Sequence, residues 1–208
     1  MLYFTRTPLW LKMLYPTCLW NYPATPDVKR IYLSFDDGPH PTATPFVLDE
    51  LKKYNARASF FCIGKNVIAE PKIYKRILME GHRVGNHTFN HLNGWKTDNK
   101  IYLQNIEQAH ELIDSDLFRP PYGRATAFQI RNLIDKLHYK VVMWDVLSGD
   151  FDLKVDGKKA AERVIQKSKS GSIIVFHDSA KAYRVLQVAL PVVLAYFSGA
   201  GYSFETIK

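Results

Sequence analysis

The stretch "SFDDGP" ends an apolar run in two adjacent carboxylates, Asp36 and Asp37, just before a Gly-Pro pair. Further along, "HTFNH" sets His87 and His91 four residues apart. On a helix, or in a tight loop, that spacing brings both imidazoles to one side. Neutral imidazole with carboxylate is a ligand set for zinc, cobalt, nickel or iron, and three protein ligands leave a position for water. Metal-assisted hydrolysis needs that arrangement. Each feature also has a plainer reading: Asp-Asp before Gly-Pro is a turn, and H-x-x-x-H is two solvated histidines. What favours chemistry is recurrence. Asn86-His87, Arg119, Trp144-Asp145 and His177-Asp178 also stand where apolar runs stop.

Those runs are the elements that must position the polar groups. Residues 31–36, 58–63, 82–86, 116–119, 139–145, 172–177 and 202–205 read as strands. Between them, 44–54, 71–80, 99–114, 126–137, 157–169 and 181–198 carry helical apolar spacing, as in Phe46, Val47, Leu48 and Leu51. Gly81, Gly171 and Gly201 mark helix-to-strand passages. Strands alternating with helices predict an α/β fold with a parallel sheet, barrel-like or open. In such folds the chemistry gathers at the carboxyl ends of the strands, where these polar residues fall.

With 208 residues, 47% hydrophobic and 23% charged, the chain is expected to form one domain with a sizeable core. Its net charge of +8 favours an acidic partner such as nucleic acid, an anionic wall polymer or a lipid surface. The cations are scattered, however, and no nucleic-acid motif or basic stripe is present, so nucleic acid is not an expected partner. Cys18 and Cys62 alone indicate no disulfide framework. Residues 1–29 read as an arm packing on a domain spanning 30–208. The first 23 are apolar and aromatic but broken by Arg6, Pro8, Lys12 and Pro16, so no transmembrane helix is expected. No signal-peptide pattern is evident, which reads as cytoplasmic, with export or envelope association left open.

In order and spacing, "SFDDGP", "HTFNH", "RPPYG", "WDVLSGDFD" and "IIVFHDS" resemble the motifs of the polysaccharide deacetylases, the family 4 carbohydrate esterases. The resemblance covers roughly residues 30 to 207. It implies a distorted (β/α) barrel with about seven parallel strands. It implies a divalent metal on Asp37, His87 and His91, zinc first, with cobalt, nickel, manganese or iron as alternatives. Asp36 is then the general base for the attacking water, and Arg119 its ion-pair partner. The Tyr122 N–H holds the oxyanion. His177 is the general acid, oriented by Asp150, and Val175 with Phe151 lines a pocket for the acetyl methyl. Neighbouring strand residues point opposite ways, so the strand must break for Asp36 and Asp37 to share a site. Gly38-Pro39 is expected to supply that break.

The fourth motif departs from the family's usual D-x-x-D-W, with Leu147 for the first acid and Phe151 for the tryptophan. Asp145 and Asp152 are therefore alternative partners for His177. The implied activity is removal of N-acetyl or O-acetyl groups from a carbohydrate such as peptidoglycan, chitin oligomers or xylan. Two alternatives stand beside it: hydrolysis of a small non-carbohydrate amide on the same scaffold, and a catalytically silent carbohydrate-binding protein.

Overall fold

The computed structural model describes residues 3–25 and 27–208. Eight short strands, β1 (Arg30–Asp36), β2 (Ser59–Cys62), β3 (Arg83–Asn86), β4 (Leu117–Phe118), β5 (Lys140–Val141), β6 (Val146–Leu147), β7 (Ile173–His177) and β8 (Ser203–Phe204), form one sheet. Seven follow the order β5-β4-β3-β2-β1-β7-β6, and β8 pairs with the first two residues of β1. All pairings are parallel. The sheet curls into an incomplete barrel surrounded by helices α1 (Leu9–Leu14), α2 (Ala43–Lys53), α3 (Gly64–Ala69), α4 (Pro71–Met79), α5 (Asn99–His110), α6 (Ala127–Asp135), α7 (Gly157–Lys167) and α8 (Ala180–Gly199).

Side-chain alternation along β1 decides what faces where. Ile31, Leu33 and Phe35 point outward into the core shared with α2, α7 and α8. Tyr32 points inward, where it packs with Phe61, Leu117, Val142, Ile173 and Ile207 to plug the barrel floor. Above that plug the inward positions turn polar: Ser34 and Asp36 on β1, His177 on β7. The floor is thus apolar and the rim carries the chemistry. Caps fix the surrounding helices. Asp98 accepts the Lys100 and Ile101 N–H groups at the start of α5, and Thr126 with Gln129 closes a capping box on α6.

Among the described residues α8 is the helix long and apolar enough to cross a bilayer. It instead buries a stripe of Val185, Leu186, Ala189, Leu190, Val193 and Leu194 in the core.

Two expectations need correction. Residues 139–145 do not form one strand: β5 ends at Val141 after pairing with β4, and the chain then crosses the barrel gap to pair as β6 with β7. The run is apolar because it is buried in the gap, not because it is extended throughout. The six-residue helices α1 and α3 were not expected from the apolar pattern. The gap itself is filled by the N-terminal segment. The Leu19 N–H donates to the Val141 carbonyl at 2.9 Å, and the Leu147 N–H donates to the Thr5 carbonyl at 3.0 Å. Both open edges of the sheet are therefore covered by the same arm. Cys18 and Cys62 are buried and unpaired with each other.

Candidate active site

β1 ends at Asp36, and Asp37 leaves it with φ of 80°. That left-handed residue turns the second carboxylate back over the same rim, so the break lies one residue earlier than Gly38-Pro39. Gly38 has a different duty. Its N–H donates to Asp178 Oδ1 at 3.1 Å, and a Cβ there would run into the Asp178 carboxylate. Asp178 also accepts the Thr44 hydroxyl at 2.5 Å, tying the ends of β1 and β7 to α2. Burial first, then the charges of Asp37 and Asp36, push its pKa up to about 8 against the Thr44 hydrogen bond. Asp178 is thus a structural acid of the rim that the sequence showed only as a strand-end residue.

Asp37 meets two imidazoles. Its Oδ1 lies 3.1 Å from His91 Nε2 and 3.7 Å from His87 Nε2, and the three potential ligand atoms are all within 4.8 Å of one another. His87 Nδ1 sits 2.7 Å from the Arg119 carbonyl. A carbonyl can only accept, so Nδ1 carries the hydrogen and Nε2 keeps a free lone pair on the side where Asp37 and His91 lie. Burial lowers the His87 pKa to about 4, so the ring is neutral at pH 7. Burial opposes the Asp37 carboxylate, but the His91 hydrogen bond and the influence of the neighbouring His177, His87 and His91 rings outweigh it and hold its pKa below the ordinary range. A neutral, oriented imidazole facing an ionised carboxylate and a second imidazole fits a divalent cation.

Asp36 points to the other side of the rim, against Arg119. Nη1 of Arg119 donates to Asp36 Oδ1 at 2.7 Å and to Ser34 Oγ at 2.8 Å. Nε and Nη2 donate to the Val142 and Met143 carbonyls, and the guanidinium lies 4.0 Å from the Phe61 ring centroid. Arg119 is wholly buried. The apolar floor is therefore closed by a cation whose donors are nearly all used.

His177 completes the rim. Its Nδ1 is 2.8 Å from Asp150 Oδ1, and its backbone N–H donates to Asp150 Oδ2 at 2.7 Å. Burial disfavours the charged ring, yet the Asp150 charge and hydrogen bond, with Asp37 and Asp36 behind them, raise the His177 pKa to about 9. The choice among three aspartates is decided here. Asp145 turns away from the rim: it pairs with Lys12 at 2.6 Å and accepts the Ser172 hydroxyl at the far end of β7. Asp152 accepts the Tyr3 hydroxyl.

Phe151 packs edge-on to His177, with centroids 5.2 Å apart, and Tyr3 packs behind it at 5.1 Å. Val175 lies two residues below His177 on β7, in register with Ser34 and Leu147. Tyr122 has φ of 61°, and among the described residues its N–H has no hydrogen-bond partner. Its ring leans edge-on against His91 at 4.6 Å. All ten residues singled out from the motifs therefore stand on or just below one rim, and Asp145 does not.

An incomplete parallel (β/α) barrel with its polar groups gathered at the strand carboxyl ends is the class of protein that fold and rim define. The profile of the polysaccharide deacetylase family matches residues 24–142, and the chain belongs to that family. A peptidoglycan-N-acetylglucosamine deacetylase of Bacillus cereus is 33% identical over 203 residues, 95% of each chain. A peptidoglycan-N-acetylglucosamine deacetylase of Listeria monocytogenes is 32% identical over 86% of this chain but only 38% of its own length. Among solved structures, a peptidoglycan N-acetylglucosamine deacetylase in complex with 4-naphthalen-1-yl-N-oxidanyl-benzamide superposes with a TM-score of 0.87. It is 29% identical, over 97% of this chain and 95% of that one.

Proposed function

We propose that the protein is a metal-dependent deacetylase that removes N-acetyl groups from a carbohydrate of the peptidoglycan type. The observation that carries this reading is that Asp37, His87 and His91, with potential ligand atoms within 4.8 Å of one another, share one rim with the Asp36–Arg119 and His177–Asp150 pairs. The names of the relatives support the substrate class.

Asp37, His87 and His91 would hold the divalent cation. When bound, such a cation supplies Lewis acidity, which acidifies water and polarises an acetyl carbonyl. The remaining work falls to the chain's own groups. Asp36, fixed by Arg119, takes the proton from the attacking water. The Tyr122 N–H donates to the oxygen on which negative charge develops, a contribution of about 3 kcal/mol when such a donor is well placed. His177, held protonated by Asp150, gives its proton to the leaving amine, typically worth about a hundred- to ten-thousand-fold in rate. Val175 and Phe151 enclose the acetyl methyl.

The test is acetate release from peptidoglycan fragments, N-acetylglucosamine oligomers and acetylated xylan, with metal stripped and then restored one ion at a time. From the N-acetylated substrates, acetate and free amine should appear together and only in the presence of a divalent ion. Stoichiometric metal should be lost from His87→Ala and from His91→Ala by elemental analysis. Full turnover by the stripped protein, or metal retained by both variants, would sink the reading.

A further inference from the structure

Trp95 is 60% exposed, yet it is held in place. Its indole N–H donates to the Ala125 carbonyl at 3.0 Å, and its backbone N–H donates to Asn93 Oδ1 at 3.0 Å. The Arg124 guanidinium lies over the indole, 5.1 Å from the ring centroid. The loop that carries Trp95 begins at His91, and the facing loop carries Tyr122, whose ring touches His91 and is 55% exposed.

The two loops are stitched together. The Gly94 N–H donates to the Arg124 carbonyl at 3.1 Å, and Gln129 Nε2 donates to the Gly94 carbonyl at 2.9 Å. A Cβ at position 94 would sit 2.6 Å from the Arg124 carbonyl oxygen, so the close approach requires glycine. Trp95 follows His91 by only four positions, which limits their Cα–Cα distance to about 14 Å. An indole held by two hydrogen bonds and a cation therefore stands within reach of the rim histidine, on loops that also carry His91 and Tyr122.

Leaving a tryptophan in water forgoes the burial that its large apolar surface favours. Fixing it there with two hydrogen bonds and a cation removes the motion that a ligand would otherwise have to arrest. An indole face is electron-rich and attracts the polarised C–H edge of a pyranose ring, while a guanidinium offers several donors in one plane to hydroxyl and carbonyl oxygens. We infer that Trp95 and Arg124 form a distal sugar subsite, which takes a neighbouring pyranose of the same glycan chain whose acetyl group lies at the rim. This inference rests on the carbohydrate-deacetylase reading above and adds chain-length selectivity to it.

The experiment compares kcat/KM for N-acetylglucosamine and its pentamer in wild type, Trp95→Ala and Trp95→Phe. Pentamer binding to the metal-free proteins is measured by calorimetry alongside. In Trp95→Ala the pentamer-to-monomer ratio should fall by about tenfold or more, the scale of losing an aromatic anchor, and mainly through KM. Pentamer binding should weaken to match. Trp95→Phe loses the bond to Ala125 but keeps a ring, and should hold most of the ratio. Equal losses on both substrates would mean that Trp95 only staples the loops, and the inference would fall. It would fall equally if wild type did not bind the pentamer. Absence of deacetylation by wild type, with pentamer binding still dependent on Trp95, would instead reject the catalytic reading and leave the subsite standing.

Discussion

The Asp36–Arg119 and His177–Asp150 pairs of the rim are built in opposite ways. Asp36 ends β1 and Arg119 directly follows β4, and Arg119 is fully enclosed by Ser34, Phe61 and the Val142 and Met143 carbonyls. His177 stands at the end of β7, but its partner Asp150 comes from a loop. That loop is backed by Phe151, and Phe151 by Tyr3 of the N-terminal arm. One pair is part of the barrel core. The other depends on a surface loop and on the arm that covers the barrel gap. The difference teaches which groups mutation can tune and which it can only break.

The largest effect should come from breaking the enclosed pair. Arg119→Ala leaves the Asp36 carboxylate buried beside empty space, and removal of one partner of a buried ion pair costs about 3–5 kcal/mol. Chemical denaturation should show that loss, and Arg119→Lys should not restore the fold's stability, because an ammonium cannot span Asp36, Ser34 and two carbonyls at once. Wild-type stability in Arg119→Ala would erase the contrast between the pairs.

His177→Ala should fold normally and lose about a hundred- to ten-thousand-fold in kcat on an N-acetyl substrate. The loss should be smaller on an acetyl ester, whose alkoxide leaves without a proton more readily than an amine does. Full-rate amide cleavage by this variant would remove the general-acid role.

Asp150→Asn tunes the same pair. The acid must be protonated, so kcat/KM should fall as pH rises through about 9, the His177 value. Removal of the neighbouring anion destabilises the imidazolium, so the alkaline limb should move to lower pH in the variant. Linkage gives a second readout with the same sign. A histidine whose folded-state pKa is raised stabilises the fold fully below the ordinary 6.5 and loses that contribution as pH rises through about 9. The pH dependence of thermal unfolding across that window should flatten in Asp150→Asn. If Asp145→Asn moved the limb instead, the geometry of the pair would be wrong.

The smallest effect sharpens the comparison. Tyr3→Ala removes the ring behind Phe151 and the hydrogen bonds to Asp152 and Arg163. It should shift the alkaline limb in the same direction as Asp150→Asn but less far, with bound metal unchanged by elemental analysis. An identical pH profile would show that the arm covers the sheet edge without supporting the acid loop.

Much of this arrangement was legible in the chain itself. Short apolar runs marked seven of the eight strands, β6 being missed, 3.6-residue spacing marked the long helices, and polar residues at the ends of apolar runs marked the rim. Such signals are local: each depends on a few consecutive side chains choosing between a core and water. The two histidines of "HTFNH" and the paired aspartates could be singled out for the same reason. Where pattern reading failed, the deciding partners were distant in sequence. Residues 139–145 read as one strand because burial in the gap and burial in a sheet demand the same apolar side chains.

Tertiary structure alone decided the rest. Asp145, Asp150 and Asp152 are the same residue type within eight positions, and only the chain's path sends Asp150 to His177, Asp145 to Lys12 and Asp152 to Tyr3. The break that turns Asp37 onto the rim is a single backbone dihedral, stabilised by contacts with His91 and by the hold of Asp178 on Gly38. The family resemblance pairs Arg119 with Asp36, but its complete enclosure by Ser34, Phe61 and two backbone carbonyls is visible only in the fold. Sequence therefore determined which groups were available and which face of each element they occupied. Which carboxylate pairs with which cation was left to packing, because charge pairing acts over a few ångströms in space and leaves no periodic trace along the chain.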